Sequence, residues 1–515
     1  MSPDATPTMS HRAVLTALSG LMLGMFVAIL SSTVVTTSLP RIVSDLGGSQ
    51  SSYTWVVTST LLALTVSTPI WGKLADLYDR KLLVQTGLTI YVLGSILGGL
   101  SQSMEWLIGC RVLQGLGVGG LTALVQVILS DLVSPRERGR YAGYLGAVFG
   151  VGTVVGPLLG GVLTDAVGWR STFYVGVPFA AIALVLLQRT LDLPRRRGEV
   201  HLDWAGALLI AGGVSSLLIW VSLAGHDFAW LSTWTAGLLT LSAALLVAAY
   251  VTERRARQPL IPLTLFKDRA VVIATLCSIC VGTAMFGTTV FLSQYMQLAR
   301  GMSPTESGLL TIPMVVGLFL ASTIIGRRIS ATGRYKQWMI TGAALLTAGL
   351  AAMGTMDETT SLVELSAFMF VLGAGIGMLM QNLVLVVQNA VAHEDIGAGS
   401  SVVAMFRSLG GAIGVSALGA VLATHVATSI GAGASGGDGA VPDISALPEP
   451  ARRVVEHAYG TGIAEVFLLA APLGVVVLLA LLTLKEVPLG SRSGIDIARE
   501  RAARTAASDP TPTPA

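Results

Sequence analysis

The chain has 515 residues, of which 53% are hydrophobic and only 12% charged, with a mean hydropathy of +0.73. Soluble domains carry about 25% charged residues, so there is too little charge here to cover a soluble surface, and the composition requires an integral membrane protein. The net charge of +3 gives no reason to expect a nucleic-acid partner, and Cys110, Cys277 and Cys280 all sit in apolar runs, which argues against a disulfide scaffold.

A bilayer core of about 30 Å takes about 20 apolar residues per helix. Residues 1–12 read as a disordered cytoplasmic tail rich in Pro, Ser and Thr. Spans are then expected at 13–39, 54–71, 82–101, 106–130, 141–164, 172–188, 204–224, 230–251, 271–298, 306–325, 338–356, 363–389, 400–426 and 463–484. The first is too long for a signal-peptide core and is kept as helix one. The expected fold class is therefore an all-α membrane protein with fourteen transmembrane helices. Residues 485–515 form a second cytoplasmic tail. Between the last two spans, 429–460 reads as an outer segment that is Gly-rich at first, with Pro450 to Tyr459 as a short interfacial helix.

Charge sets the orientation. With both termini inside, only five of the 32 Lys and Arg fall on outer loops, namely Arg41, Arg170, Arg300, Arg452 and Arg453. Arg111 and Arg407 lie within spans, and all the others are cytoplasmic, which satisfies the positive-inside rule. Two basic links, Arg189–Gly198 and Glu253–Arg269, divide the spans as 6+2+6. The expected organisation is a six-helix bundle at 13–188, a linker with an inserted two-helix hairpin at 189–269, and a second six-helix bundle at 270–484. The inner loops Gly72–Lys81 and Gly326–Lys336 stand at the same place in each bundle, both Gly-led and basic. Two repeated halves around a central site is the plan of a secondary transporter.

In chain order, the first span carries a hydroxyl-lined face from Ser31 to Ser38. In the loop after span two, Asp76 and Arg80 are four apart and face each other if that stretch is helical. Arg111 stands inside span four with Gln114 on the same face; an intramembrane arginine is costly and normally faces the interior or a wet cavity. Gly115, Gly117 and Gly120 match G-x-G-x-x-G, but a dinucleotide site needs a preceding strand and a later acid, so that reading is rejected. In span five, Gly152, Gly156, Pro157, Gly160 and Gly161 form GxxxGPxxGG, where spaced glycines permit close helix approach and the proline bends the helix. Cys277 and Cys280 read as small residues on a helix face. No acid lies deep in any span; Asp165, Glu306, Glu364 and Glu465 lie at span ends.

These motifs resemble those of the major facilitator superfamily. Its signature after the second helix is matched by Gly72, Leu74, Asp76, Arg80 and Lys81, with Leu77 and Asp79 departing from it. The resemblance implies that this loop gates the inner side, with Gly72, Asp76, Arg80 and Lys81 as its parts. It further implies that Arg111 and Gln114, in the R-x-x-Q-G-x-G arrangement, serve proton coupling, and that GxxxGPxxGG marks an exporter. Trp169–Pro178, Asp203–Gly206, Pro262–Phe266 and Gly301–Gly308 are similar to the fourteen-span drug:proton antiporter branch, and the likeness runs over about residues 12–488. That branch often has an aspartate and an asparagine in its first helix where this chain has Ser31 and Thr36.

The expected function is proton-driven export of lipophilic drugs or antibiotics by alternating access, in the cytoplasmic membrane of a bacterium. Lacking a deep carboxylate, the chain suits neutral or weakly anionic amphiphiles at least as well as lipophilic cations. Expected substrate-lining residues are Thr33, Thr37, Gln126, Gln294, Gln297, Gln381, Asn382 and Gln388; Arg407 joins the gating and coupling set. The partners expected are a small amphiphile, protons and lipid, with the protein a monomer. Neither a cofactor nor a metal is expected, since there is no P-loop and the six histidines do not cluster. A dedicated exporter of one metabolite or lipid is the alternative. An enzyme would need converging catalytic groups, and a sensor a soluble output domain; the sequence has neither.

Overall fold

The computed structural model describes residues 11–47, 50–191, 203–224, 228–256, 259–302, 304–392, 395–430 and 448–489. Most of both expected tails, the first basic link and the Gly-rich stretch before Pro448 lie outside them. The described residues are almost entirely helical, because only closed backbone hydrogen bonding is tolerated in hydrocarbon. The α-helices are α1 (His11–Asp45), α2 (Gln50–Leu77), α3 (Arg80–Gly99), α4 (Met104–Leu132), α5 (Pro135–Ala166), α6 (Ser171–Tyr174), α7 (Gly176–Thr190), α8 (Trp204–Leu223) and α9 (Thr233–Arg255). They continue as α10 (Arg269–Gln294), α11 (Pro304–Leu310), α12 (Ile312–Thr332), α13 (Lys336–Met353), α14 (Leu362–Ala390), α15 (Ile396–Ile430) and α16 (Glu449–Thr483). A 3₁₀ turn (Leu263–Lys267) precedes α10, and a π segment (Tyr295–Ala299) prolongs it.

Each expected span falls on a helix, with local differences. Span six is broken into α6 and α7, because Pro178 has no N–H to offer the Tyr174 carbonyl. Pro313 acts likewise between α11 and α12. The expected interfacial helix at Pro450–Tyr459 is not separate: α16 runs unbroken from Glu449 to Thr483. Its Gly460 and Gly462 stay helical where they press on Glu358 and on Leu422 and His425. At about 1.5 Å per residue, α16 far exceeds the bilayer core. Among the described residues, 13 helical stretches are long and apolar enough to cross a membrane. Helix α13 is not one of them; it has 18 residues and opens on Lys336 and Gln337.

Side-chain caps start several helices. Ser103 accepts from the Trp106 N–H at 3.3 Å, and Ser361 with Glu364 forms a capping box on α14. Asp79, which departs from the signature, accepts from the Lys81 N–H at 2.9 Å and serves as the N-cap of α3.

Buried apolar side chains gather mainly in two clusters, one drawn from residues 14–191 and the other from 265–484. Helices α2 and α3 pack on α4, and α1 on α5 and α7; later in the chain α10 packs on α15, and α14 on α12 and α13. The early and late helices meet along two seams, α5 against α12 and α2 against α15. Helix α8 pairs with α9 and also touches both α2 and α15. There, Ala207, Ile210 and Val214 share a third cluster with Val66, Ile70, Val402 and Met405.

Candidate functional site

At the end expected to face the cytoplasm, the inner end, the loop after α2 forms a junction with the start of α15. The Asp76 carboxylate accepts from the N–H groups of Gly397 and Ala398, both at 3.1 Å. These are orphan donors at the positive end of a helix, which a carboxylate both satisfies and stabilises. Glycine makes the approach possible: a Cβ on Gly72 would overlap the Ser401 side chain, and one on Gly397 would overlap Asp76.

The stretch from Asp76 to Arg80 is not one continuous helix, since α2 ends at Leu77 and α3 starts at Arg80. Arg80 forms a buried ion pair with Asp131 at the end of α4 and donates from Nε to the Ala75 carbonyl at 2.9 Å. Sequence reading passed over Asp131, whose partner is 51 residues away and which sits just past the expected span. Lys81 donates to the Gln188 carbonyl at 2.8 Å, tying the loop to α7.

A second inner contact joins the two sets of helices through amides. Gln126 of α4 donates to Gln381 Oε1 of α14 at 2.9 Å. Gln388 donates to Ser400 Oγ at 2.9 Å and to the Gln126 carbonyl at 3.3 Å. Arg138, in the first turns of α5, donates to Gln388 Oε1 at 2.8 Å, to the Ser130 carbonyl at 2.9 Å and to the Val133 carbonyl at 3.1 Å. Burial, which disfavours the charged form, pulls its guanidinium down to about 9. Sequence reading counted Arg138 only as an inner-loop charge. Asn382 bonds its own helix, at the Met378 carbonyl, 2.6 Å away. The void these residues enclose is about 10 Å³, room for about one water. Four expected lining residues thus meet in a closed inner seam.

The other expected lining residues lie elsewhere. Thr33 donates to the carbonyls of Ile29, Leu30 and Gly152, and a Cβ on Gly156 would overlap it. The side chain of Thr37 lies outside the described residues. Gln294 ends α10 and Gln297 lies in the π segment that follows; Gln297 donates to Ser293 at 2.9 Å, and Gln294 Oε1 is buried with no partner among the described residues.

The glycine string of α5 is a packing face. Gly152 meets Ile29, Gly156 meets Thr33, and Pro157 lies against Gly308 of α11. Gly160 is buried and Gly161 partly so. The later helices repeat this device: Gly410 and Gly414 of α15 press on Ile279 and Thr283 of α10, and Thr283 donates to the Gly410 carbonyl at 2.7 Å.

Of the two intramembrane arginines, Arg111 is 3% exposed. It donates to Gln114 Oε1 at 2.9 Å and to the Val56 carbonyl at 3.4 Å, while Gln114 donates to Ser95 at 2.9 Å. The expected pairing with Gln114 is present. Arg407 is only partly buried. At the outer end, α15 and α16 line an open groove of about 450 Å³, where His425 Nδ1 and Glu465 Oε2 are 2.6 Å apart. His425 was missed in the sequence, where nothing local marks it.

Comparison with known proteins bears on the whole chain. The profile of the Major Facilitator Superfamily matches residues 21–415 and 274–506. The chain is 38% identical to an uncharacterized MFS-type transporter of Mycobacterium tuberculosis, over 92% of this chain and 69% of the relative. It is 35% identical to the multidrug transporter protein MdtP of Bacillus subtilis, over 79% and 74%, and 31% identical to multidrug resistance protein 3 of the same organism, over 88% and 91%. In fold it is similar to the human organic anion transporter MFSD10, with a TM-score of 0.59 at 15% identity, covering 89% of this chain and 99% of that one. With its paired seams and these relatives, the chain belongs to the major facilitator superfamily and is a multi-pass membrane transporter.

Proposed function

We propose that this transporter exports lipophilic drugs or antibiotics across the cytoplasmic membrane of a bacterium, driven by inward proton flow. Its fourteen spans are arranged 6+2+6, with both termini inside, and two six-helix bundles rock about a central site. The observation that carries the reading is the inner seal. Asp76 caps α15 across the seam, and Gln126, Gln381, Gln388 and Arg138 close the space beside it, as alternating access requires of a state shut to the cytoplasm. The relatives named as multidrug transporters support the substrate class, and the buried Arg111–Gln114–Ser95 chain supports a coupling role at α4.

The test is uptake of a labelled drug panel into inverted vesicles, with and without an uncoupler at constant ATP. Concentrative uptake of several unrelated drugs, abolished by the uncoupler, is expected. Uptake that survives the uncoupler overturns proton coupling. Uptake of a single compound favours a dedicated exporter. A reporter active only outside the membrane, fused after Met104, Lys81 or Arg196, should be active at the first position alone.

A further inference from the structure

The charge distribution at mid-membrane points to the chemistry of the cargo. Arg407 lies 11 residues into α15, about 16 Å from its inner end at about 1.5 Å per residue, hence near the middle of the bilayer. The backbone there is held tightly, since a Cβ on Gly282 of α10 would overlap the Arg407 carbonyl. The helix cannot easily shift to carry the guanidinium elsewhere.

No acid is positioned to balance this charge. Helices α10, α14 and α15 carry none between their ends. Several acids at the ends of the elements around α15 are already engaged. Asp76 holds the Gly397 and Ala398 N–H groups, Asp131 pairs with Arg80, and Glu364 caps α14. Glu465 bonds His425, and beside α8 Glu253 accepts from Leu260 and Ile261. Among the described residues, Arg407 has neither a hydrogen-bond acceptor nor an ion-pair partner. Arg111, by contrast, is closed off and bonded.

A guanidinium keeps its proton and presents five donors in a planar fork. Placed at membrane depth without a counter-charge, it is tolerated where it reaches water or an anion, and Arg407 retains partial exposure. We infer that Arg407 is the recognition group for a carboxylate on the exported molecule, so that the cargo is an amphiphile with one anionic end. The fork matches a carboxylate in two parallel hydrogen bonds. This rests on the export reading above and narrows it.

The test is titration calorimetry on the full chain in detergent, with three matched acid and amide pairs of different apolar bodies: naphthylacetate, indole-3-butyrate and 4-biphenylacetate, each against its primary amide. For at least one pair the acid should bind at least tenfold more tightly, and Arg407→Gln should remove that preference while amide affinity stays the same. Arg407→Lys, which keeps the charge without the fork, should retain part of it and covers the case in which the glutamine variant does not fold. Equal binding of acid and amide in all three pairs, or a preference that survives Arg407→Gln, overturns the inference. Uncoupler-sensitive export of a neutral drug by the same wild-type protein would then leave the export reading standing.

Discussion

The two inner loops, Gly72–Lys81 and Gly326–Lys336, occupy the same place in the two halves of the sequence yet bind differently. Four residues after its leading glycine, the first has Asp76, which reaches across the seam to α15. At that position the second has Ser330, which donates to its own Gly326 carbonyl at 3.0 Å. The rest of the second loop turns towards α16. Gly333, at φ +72, ends α12; the N–H groups of Tyr335 and Lys336 donate to Glu486 at 2.7 and 3.0 Å; and Lys336 Nζ donates to the Leu482 carbonyl at 2.9 Å.

The cause lies in the helix each loop faces. Helix α15 opens with no acid in its first turn and offers free N–H groups. Helix α5 opens on Pro135 and carries Glu137 in its first turn, so its positive end is already occupied. Among the described residues, the seam between α5 and α12 includes the uncharged contacts of Gly146 with Ser322 and of Gly150 with Val315. Charge latches the first seam, and these contacts of the second carry none.

The largest effect that would sharpen this contrast is expected from Asp131→Asn. It leaves the Arg80 guanidinium buried without its carboxylate, a loss of about 3–5 kcal/mol, read as a lower melting temperature in detergent. Glu486→Gln, the corresponding cut in the exposed second loop, should cost under about 1 kcal/mol. Equal losses would break the comparison.

Next comes Asp76→Asn, which keeps an acceptor but loses the charge at the α15 terminus, about 1–2 kcal/mol. That shifts the seam roughly tenfold towards opening. Alkylation of a Ser401→Cys probe from the cytoplasmic side should accelerate accordingly, because Ser401 is covered by Gly72 when the seam is shut. An unchanged rate would mean that the latch is steric alone.

The smallest effect is expected from Ser330→Asp. Continuing the antiparallel register of α5 and α12 sets residue 330 level with Glu137, so a new carboxylate meets a like charge rather than free donors. Stability should change by less than about 0.5 kcal/mol, with no gain in closure. A clear stabilisation would show that α5 can be latched as α15 is.

Much of this was legible from sequence because lipid leaves few choices. Apolar runs located the helices, and Gly72 with Asp76 marked the loop that meets α15. Less legible were pairings between distant residues: Arg80 with Asp131, and Arg138 with Gln388, where nothing periodic links one partner to the other. The glutamines chosen as lining show the same limit. Gln381 and Gln388, seven apart, do share a face, but what faces them is Gln126 and Arg138 rather than open space, a fact fixed by how the two halves meet. The continuity of α16 was hidden because glycine and proline near its start look like breakers until the contacts at Gly460 and Gly462 are known.

The patch where α8 rests on both α2 and α15 bears on how the latched seam can part. Val66 and Ile70 on one side, and Val402 and Met405 on the other, share a single apolar cluster with Ala207, Ile210 and Val214. Drawing α2 away from α15 therefore also peels α8 from one of them and uncovers apolar surface whose exposure depends on what fills the gap. In a bilayer, acyl chains can replace those contacts at little cost; in a thin or poorly solvating detergent shell they cannot. On the proposed alternating-access reading, the α8–α9 pair would thus turn a hinge between two bodies into a movement of three, and make its ease a property of the surrounding solvent as much as of the protein.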